Sequence, residues 1–174
     1  MGAARVMPAD QLPLPPPLPP AAAQLLDQAH RALAEAAACT DDPRRRYATA
    51  HLGALRGAAA VLAARTRPEA GRRRPRSAWV LLGSVAPELG EWATFFAAGA
   101  AKRAAAEAGS TRAVSEREAD DLVRDADRFL AVVEQALGLV PHPPLGGRVA
   151  AARPAPAGTP ADTPIGTGWG TRVS

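Results

Sequence analysis

Few side chains in this 174-residue chain could do chemistry, and one pair stands out by its spacing. Arg46 and His51 form an R-x4-H pattern within the run RRRYATAH. Five residues of a helix turn through about 140°, so these side chains would share a site only with a neighbouring subunit or a distorted helix start. The alternative is structural: Arg46 lies in solvent and His51 packs at the edge of the core.

Other catalytic and metal-binding patterns are absent from the sequence. It contains no nucleophile–base–orienter set, no glycine-rich phosphate loop, no H-E-x-x-H motif and no metal-ligand cluster. We therefore expect no metal and no cofactor. His30 lies among alanines, which favours a structural role, and His142 falls in a predicted disordered tail. Cys39 is the only cysteine, so the chain forms no internal disulfide, and a small buried side chain is favoured over a reactive thiol.

Positive charge is concentrated in one part of the chain. Residues 44–76 hold ten arginines and one acid, whereas residues 107–134 hold eight acids and four arginines. Basic clusters favour nucleic acid or an acidic partner, so RNA and an acidic protein are the candidate partners. The alternative is that arginine is simply the cation this composition uses on solvated faces. If the basic cluster binds nucleic acid, the binding residues are Arg44, Arg45, Arg72, Arg73, Arg74 and Arg76.

Helical periodicity predicts the elements that position these residues. It indicates an all-α, up-and-down bundle of four long helices and one short helix. The long helices are predicted at residues 21–38, 43–65, 87–108 and 116–137, and the short one begins near residue 77. Asp42 is a predicted N-cap, Ser115 and Glu118 form a predicted capping box, and Gly53 and Gly57 favour close helix–helix approach.

The stretch 77–109 is predicted to be the central piece of the bundle. It holds two of the three tryptophans and two of the three phenylalanines, which supply much of the burial energy of a small domain. Trp92 is expected to be largely buried, on one stripe with Leu89 and Phe96. Eight of the twelve residues 97–108 are alanine, so neighbouring helices could pack closely there.

Both ends of the chain are expected to lie outside the folded domain. Residues 1–20 contain seven prolines, and residues 141–174 contain seven prolines and six glycines, a composition that favours disorder. The predicted organisation is a disordered segment 1–20, a bundle 21–138 and a disordered tail 139–174. No apolar run approaches the roughly 20 residues of a membrane span. We therefore expect a cytoplasmic protein with no membrane partner.

Three stretches of the chain carry a family resemblance. They are RYATAHLGALRGAAAVLAA (46–64), RRPRSAWVLLGSVAPELGEWATFFAAGAAKRAAAEAG (73–109) and VSEREADDLVRDADRFLAVVEQAL (114–137). In this order they resemble the HEPN superfamily, specifically its SAV-like actinobacterial branch. The resemblance implies a helical bundle that often dimerises. Many HEPN proteins are ribonucleases whose R-x4-6-H motif assembles across a dimer cleft, so Arg46 would stabilise the phosphate and His51 would orient or activate the 2′-hydroxyl.

Three functional hypotheses follow. The first is a non-catalytic helical module that binds a protein, RNA or nucleotide-related partner; a homodimer is a further partner that the resemblance implies. The second is a metal-independent HEPN-type ribonuclease that uses Arg46 and His51. The third is a purely structural or adaptor bundle, in which the arginines are paired with the acids of the last helix.

Overall fold

A computed structural model describes residues 17–66 and 77–146 of the chain. These residues form five α-helices and a short 3-10 turn, Pro87–Leu89, and contain no strand. The predicted all-α bundle of four long helices and one short helix is confirmed. The helices are α1 Pro20–Ala38, α2 Pro43–Arg65, α3 Ala78–Val85, α4 Gly90–Glu107 and α5 Glu116–Ala136.

The helix starts predicted from the sequence are present. The Asp42 carboxylate accepts the backbone N–H groups of Arg44 and Arg45, at 3.0 and 3.2 Å, which caps α2. At α5, the Ser115 hydroxyl accepts the N–H of Glu118, and the Glu118 carboxylate accepts the N–H of Ser115. This reciprocal capping box fixes the direction in which α5 leaves the preceding turn.

Helix α2 is the centre of the bundle, because it packs against all four other helices. The sequence had favoured the stretch 77–109, which the structure places to one side of α2. Two glycines allow the close packing of α2, as predicted. A Cβ at Gly53 would lie 3.2 Å from the carbonyl oxygen of Ala29 in α1, and one at Gly57 would overlap the side chain of Leu130 in α5.

Aromatic rings fill the space between α2, α3, α4 and α5. Trp79 and Phe96 stack with ring centroids 5.2 Å apart, and Phe129 packs against both. Trp79 is buried, whereas Trp92 is only half-buried and covers the outer side of Phe96 and Phe129. Trp92 packs on Phe96 as expected, but its burial is only partial, because α4 lies at the margin of the bundle.

The chain reverses direction after α5. Gly138 has φ 75°, a left-handed conformation that favours glycine, and the N–H of Leu139 bonds the carbonyl of Glu134 at 2.8 Å. Residues 139–146, which we call the C-terminal segment, then run back along α5. His142 in this segment contacts α5, which differs from its predicted place in a disordered tail.

Several predicted features fall outside the described residues. They include most of the proline-rich N-terminal segment, the end of the C-terminal tail and the arginines at 72, 73, 74 and 76. Within the described residues, no helix is long and apolar enough to cross a membrane.

Candidate functional site

His51 of α2 lies inside the core. Its side chain is 1% exposed, and its Nε2–H donates to the carbonyl of Phe96 in α4 at 2.9 Å. The rings of Trp79 and Phe96 each meet the imidazole edge-on, with centroids 5.7 Å away. The remaining nitrogen, Nδ1, is buried and makes no hydrogen bond within the described residues. These contacts favour a structural role for His51, whose ring packs in the core and donates one hydrogen bond.

Arg46 faces a different part of the bundle. Its guanidinium pairs with the Asp120 carboxylate of α5 at 3.1 Å, whereas His51 faces α4. The described residues thus direct the two members of the R-x4-H pattern to different helices. A catalytic role for this pair stays a hypothesis.

The environment of His51 predicts the pH range in which its ring becomes protonated. Burial lowers the pKa of His51, the hydrogen bond to Phe96 opposes that shift, and the positive charge of Arg103 adds to it while Glu107 opposes it. A histidine with a lowered pKa stabilises the fold above its unfolded pKa of about 6.5, and this contribution is lost as pH falls through the folded value. In an NMR titration, the His51 ring should therefore protonate below pH 6.5. Protonation near pH 6.5 would place the ring in solvent, and protonation above it would place the ring beside an acid.

Arg44 and Arg45 are the two predicted nucleic-acid-binding residues that the structure describes. They line an open cleft of about 470 Å³ with Thr49, Leu52 and Glu107. Arg44 bonds the carbonyl of Gly109 at 3.0 Å and the Asp42 carboxylate at 3.3 Å. Arg45 pairs with Glu35 at 2.8 Å, so both cations already have acidic partners within the chain. The cleft is of mixed charge, and RNA binding stays a prediction.

Helix α4 presents a surface without charge, which we call the neutral face. The ten residues 92–101, WATFFAAGAA, include no charged side chain, yet six of them are exposed. Phe95 is 45% exposed, and Val80 of the adjacent α3 is 57% exposed. A groove between the two helices lies beside this surface, and Val80, Thr94 and Ala97 are among its lining residues. The exposed residues are Thr94, Phe95, Ala97, Ala98, Ala100 and Ala101.

A cluster of ionisable side chains joins the C-terminal segment to α5 and α1. His142 Nδ1 lies 2.7 Å from Glu134 Oε2, and His142 Nε2 lies 2.9 Å from Asp127 Oδ1. The other Glu134 oxygen lies 2.9 Å from His30 Nε2 of α1. Backbone N–H groups add to these contacts, because His142 donates to Glu134 at 2.7 Å and Leu145 donates to Asp127 at 3.2 Å.

Both carboxylates of this cluster are buried, so their charges depend on those partners. Burial alone would lower the pKa of His142, but the hydrogen bonds to Asp127 and Glu134 and the charges of these groups outweigh it, and the pKa is raised. When it is protonated, the imidazole compensates the charges of the acids on either side of it.

This cluster was not predicted from the sequence, although a signal was present. Asp127 and Glu134 are seven residues apart, and both lie on the apolar stripe of α5 that contains Leu130. Acids at buried positions of an amphipathic helix need partners. The partners could not be named because one lies in α1 and the other follows the proline after α5.

The cluster predicts an effect of truncation. A chain that ends at residue 138 loses His142 and the backbone donor of Leu145, so Asp127 and Glu134 lose their compensating groups. We expect it to be about 1–3 kcal/mol less stable than a chain that ends at 146, the cost of losing hydrogen bonds to charged groups. The chain ending at 146 should match the full chain in urea unfolding. Equal midpoints for 138 and 146 would show that the C-terminal segment adds nothing, and that the predicted boundary at 138 is adequate.

The described residues define the class of protein as an all-α helical bundle. The bundle is centred on α2 and extended by the C-terminal segment, which packs against α5. The family model for SAV_6107-like HEPN domains matches residues 36–134, and the chain belongs to this family. The predicted family resemblance is therefore confirmed. The match spans α2 to α5 and includes Glu134, but His30 and His142 lie outside it. No curated protein and no solved structure shows significant similarity to the chain.

Proposed function

We propose that this chain is a non-catalytic, protein-binding HEPN module, and that the neutral face of α4 binds a second copy of the chain. The observation that carries the proposal is the exposure of six uncharged residues within the ten-residue run 92–101. A helix face turned permanently to water normally carries charged or polar side chains. An uncharged face with an exposed aromatic ring is typical of a surface that another protein covers.

The shape of the neutral face suits a helix. Thr94, Ala98 and Ala101 follow one another at spacings of four and three, so they form a stripe of small side chains along α4. Small residues let two helix backbones approach closely. Phe95 at the edge of the stripe supplies a larger apolar contact, and aromatic residues are enriched in protein interfaces.

The charges at the two ends of the neutral face favour a second copy as the partner. Glu91 and Lys102 bound the uncharged run and are eleven residues apart. On a helix this places them about 20° apart around the axis and about 16 Å apart along it. An antiparallel pair of α4 helices, related by a two-fold axis, would set each Glu91 against the Lys102 of the other copy, whose ammonium also pairs with Glu118 of its own chain and would bridge the two acids. An isologous interface needs this kind of self-complementarity.

The described arginines give less support to RNA as the partner. Arg44, Arg45 and Arg46 pair with Asp42, Glu35 and Asp120, so much of their charge is compensated within the chain. The purely structural alternative accounts for such pairs, but it leaves the neutral face without a purpose.

The ribonuclease alternative requires His51 to reach a substrate. Its burial and its hydrogen bond to Phe96 favour a structural role instead. Cleavage of RNA in EDTA by the wild type, lost in both Arg46→Ala and His51→Ala with folding intact by circular dichroism, would overturn the non-catalytic proposal.

The self-association prediction can be tested by substituting one exposed alanine. Ala97→Glu would bury in the interface a carboxylate that has no cation three or four residues away on α4, so it should weaken dimerisation at least about tenfold, a change of about 1.4 kcal/mol. Sedimentation equilibrium of the full chain measures the change. Ala34→Glu is the matched control, since Ala34 is an exposed alanine inside α1. A wild-type monomer at all concentrations, or equal weakening by both variants, would contradict the proposed interface.

A further inference from the structure

We propose that His30, Glu134 and His142 bind a zinc ion that fastens the C-terminal segment to α1 and α5. Each of these residues offers one donor atom, and the three atoms all lie within 4.8 Å of one another. Zinc bonds of about 2.0–2.2 Å in a tetrahedral site place donors a little over 3 Å apart. Glu134 meets His142 at 2.7 Å through one oxygen and His30 at 2.9 Å through the other, so the ion enters when the side chains shift to bring one of these oxygens and both nitrogens to an equal distance from it.

The chemistry of the donors suits zinc. Two imidazole nitrogens and one carboxylate oxygen form a ligand set that zinc adopts in proteins, with a fourth position left for water or another ligand. Magnesium and calcium prefer sites made of oxygen atoms, so the two histidines select against them. Glu134 is 5% exposed and belongs to the well-packed stripe of α5, which makes it a rigid anchor.

Asp127 supports the same assignment independently. When His142 Nδ1 binds a metal, the proton of the ring belongs on Nε2, and that nitrogen lies 2.9 Å from Asp127 Oδ1. A carboxylate that accepts the other ring N–H of a ligating histidine fixes both its tautomer and its orientation. The N–H of Leu145 bonds the second Asp127 oxygen, so Asp127 is itself held in place.

Zinc would replace a proton at the centre of the cluster. In the arrangement described, His142 is bonded to Glu134 through Nδ1 and to Asp127 through Nε2, and each contact uses one ring proton when the imidazole is charged. Coordination requires a lone pair on Nδ1, so the Nδ1 proton leaves to solvent as the metal enters. The Nε2 proton stays on the ring and continues to bond Asp127.

A zinc ion bound by these three residues would connect distant parts of the chain. His30 and Glu134 are more than a hundred residues apart, and His142 lies in the segment that Gly138 turns back along α5. An ion held by all three would stabilise the folded state over the unfolded chain, in which no such site exists. The inference does not depend on the proposed interface, because none of its residues lies on α4.

The test is zinc binding by the untagged full chain. After removal of metal with a chelator, the protein is titrated with zinc in competition with a chromophoric chelator, and the cobalt complex is examined by visible absorption. We expect one zinc per chain, a four-coordinate cobalt spectrum, and a higher unfolding midpoint with zinc. His142→Gln and Glu134→Gln should each weaken binding at least about tenfold, and Asp127→Asn by about 10–100-fold.

The control is Glu35→Gln, which changes an exposed glutamate of α1 and should leave zinc affinity unchanged. If Glu134→Gln fails to fold, His142→Gln decides the matter, because His142 lies outside the five helices α1 to α5. Absence of stoichiometric zinc binding by the wild type would overturn the proposal. Equal zinc affinity in the wild type and His142→Gln would also overturn it.

Discussion

Replacing Trp79 with alanine is expected to lower the free energy of unfolding by about 3–5 kcal/mol, the range for deletion of a large buried aromatic side chain. Trp79 is 5% exposed and stacks on Phe96, while Phe129 and His51 meet its ring at larger angles. The cavity would lie between four helices that cannot all move in to fill it. Urea unfolding followed by circular dichroism measures the loss, which is a large share of a typical total of about 5–15 kcal/mol.

Trp92→Ala is the natural comparison for this substitution. Trp92 is half-buried, so water can occupy part of the space left by its ring, and the loss should be smaller. A larger loss for Trp92 than for Trp79 would contradict the description of α4 as a marginal helix.

Gly57→Val is expected to destabilise the bundle by about 1–3 kcal/mol, the usual cost of overpacking a core. The new Cβ would overlap the Cδ2 methyl of Leu130, which is fully buried. Either the Leu130 side chain must leave its present position in the core or α2 must move away from α5, and both changes disturb the packing between these helices. The same unfolding measurement reports the effect.

Gly83→Val in α3 provides a matched control. A Cβ at Gly83 meets nothing within 4 Å, so the change should lie within about 0.5 kcal/mol of the wild type, as for most surface substitutions. Equal losses at Gly57 and Gly83 would show that the close approach of α2 to α5 does not govern the effect.

The parts of the fold that depend on residues close together in the sequence could be predicted. The caps formed by Asp42 and by Ser115 with Glu118 involve atoms two or three residues apart, so the local pattern is sufficient. The glycine pair in α2 was also predictable as a packing feature. The partner of each glycine, α1 for Gly53 and α5 for Gly57, required the structure.

The errors concern contacts between distant residues. Periodicity placed Trp92 on a stripe with Leu89 and Phe96, but it could not show that α4 packs at the edge of the bundle. The alanine-rich part of α4 was predicted to accommodate neighbouring helices, whereas Ala97, Ala98 and other residues of the neutral face are exposed. That difference between composition and exposure is what suggests a partner.

The candidate zinc site shows a second limit of sequence reasoning. Asp127 and Glu134 on the buried stripe of α5 indicated that partners must exist. His142 could not be identified as one, because its position depends on the turn at Gly138 and on contacts that the proline-rich composition of the tail conceals.

The central claim, that the neutral face of α4 binds a second copy, is tested most directly by zero-length cross-linking of carboxylates to amines. Lys102 is the only lysine of the chain, and its ammonium already pairs with Glu118, which supplies an internal positive control. Glu91 and Lys102 of one chain are about 16 Å apart along α4, so a bond between them must join two copies. With mixed isotopically labelled and unlabelled protein, we predict a Lys102–Glu91 cross-link of mixed composition. Cross-links from Lys102 to Glu118 alone, at concentrations where the chain is fully associated, would contradict the proposed interface.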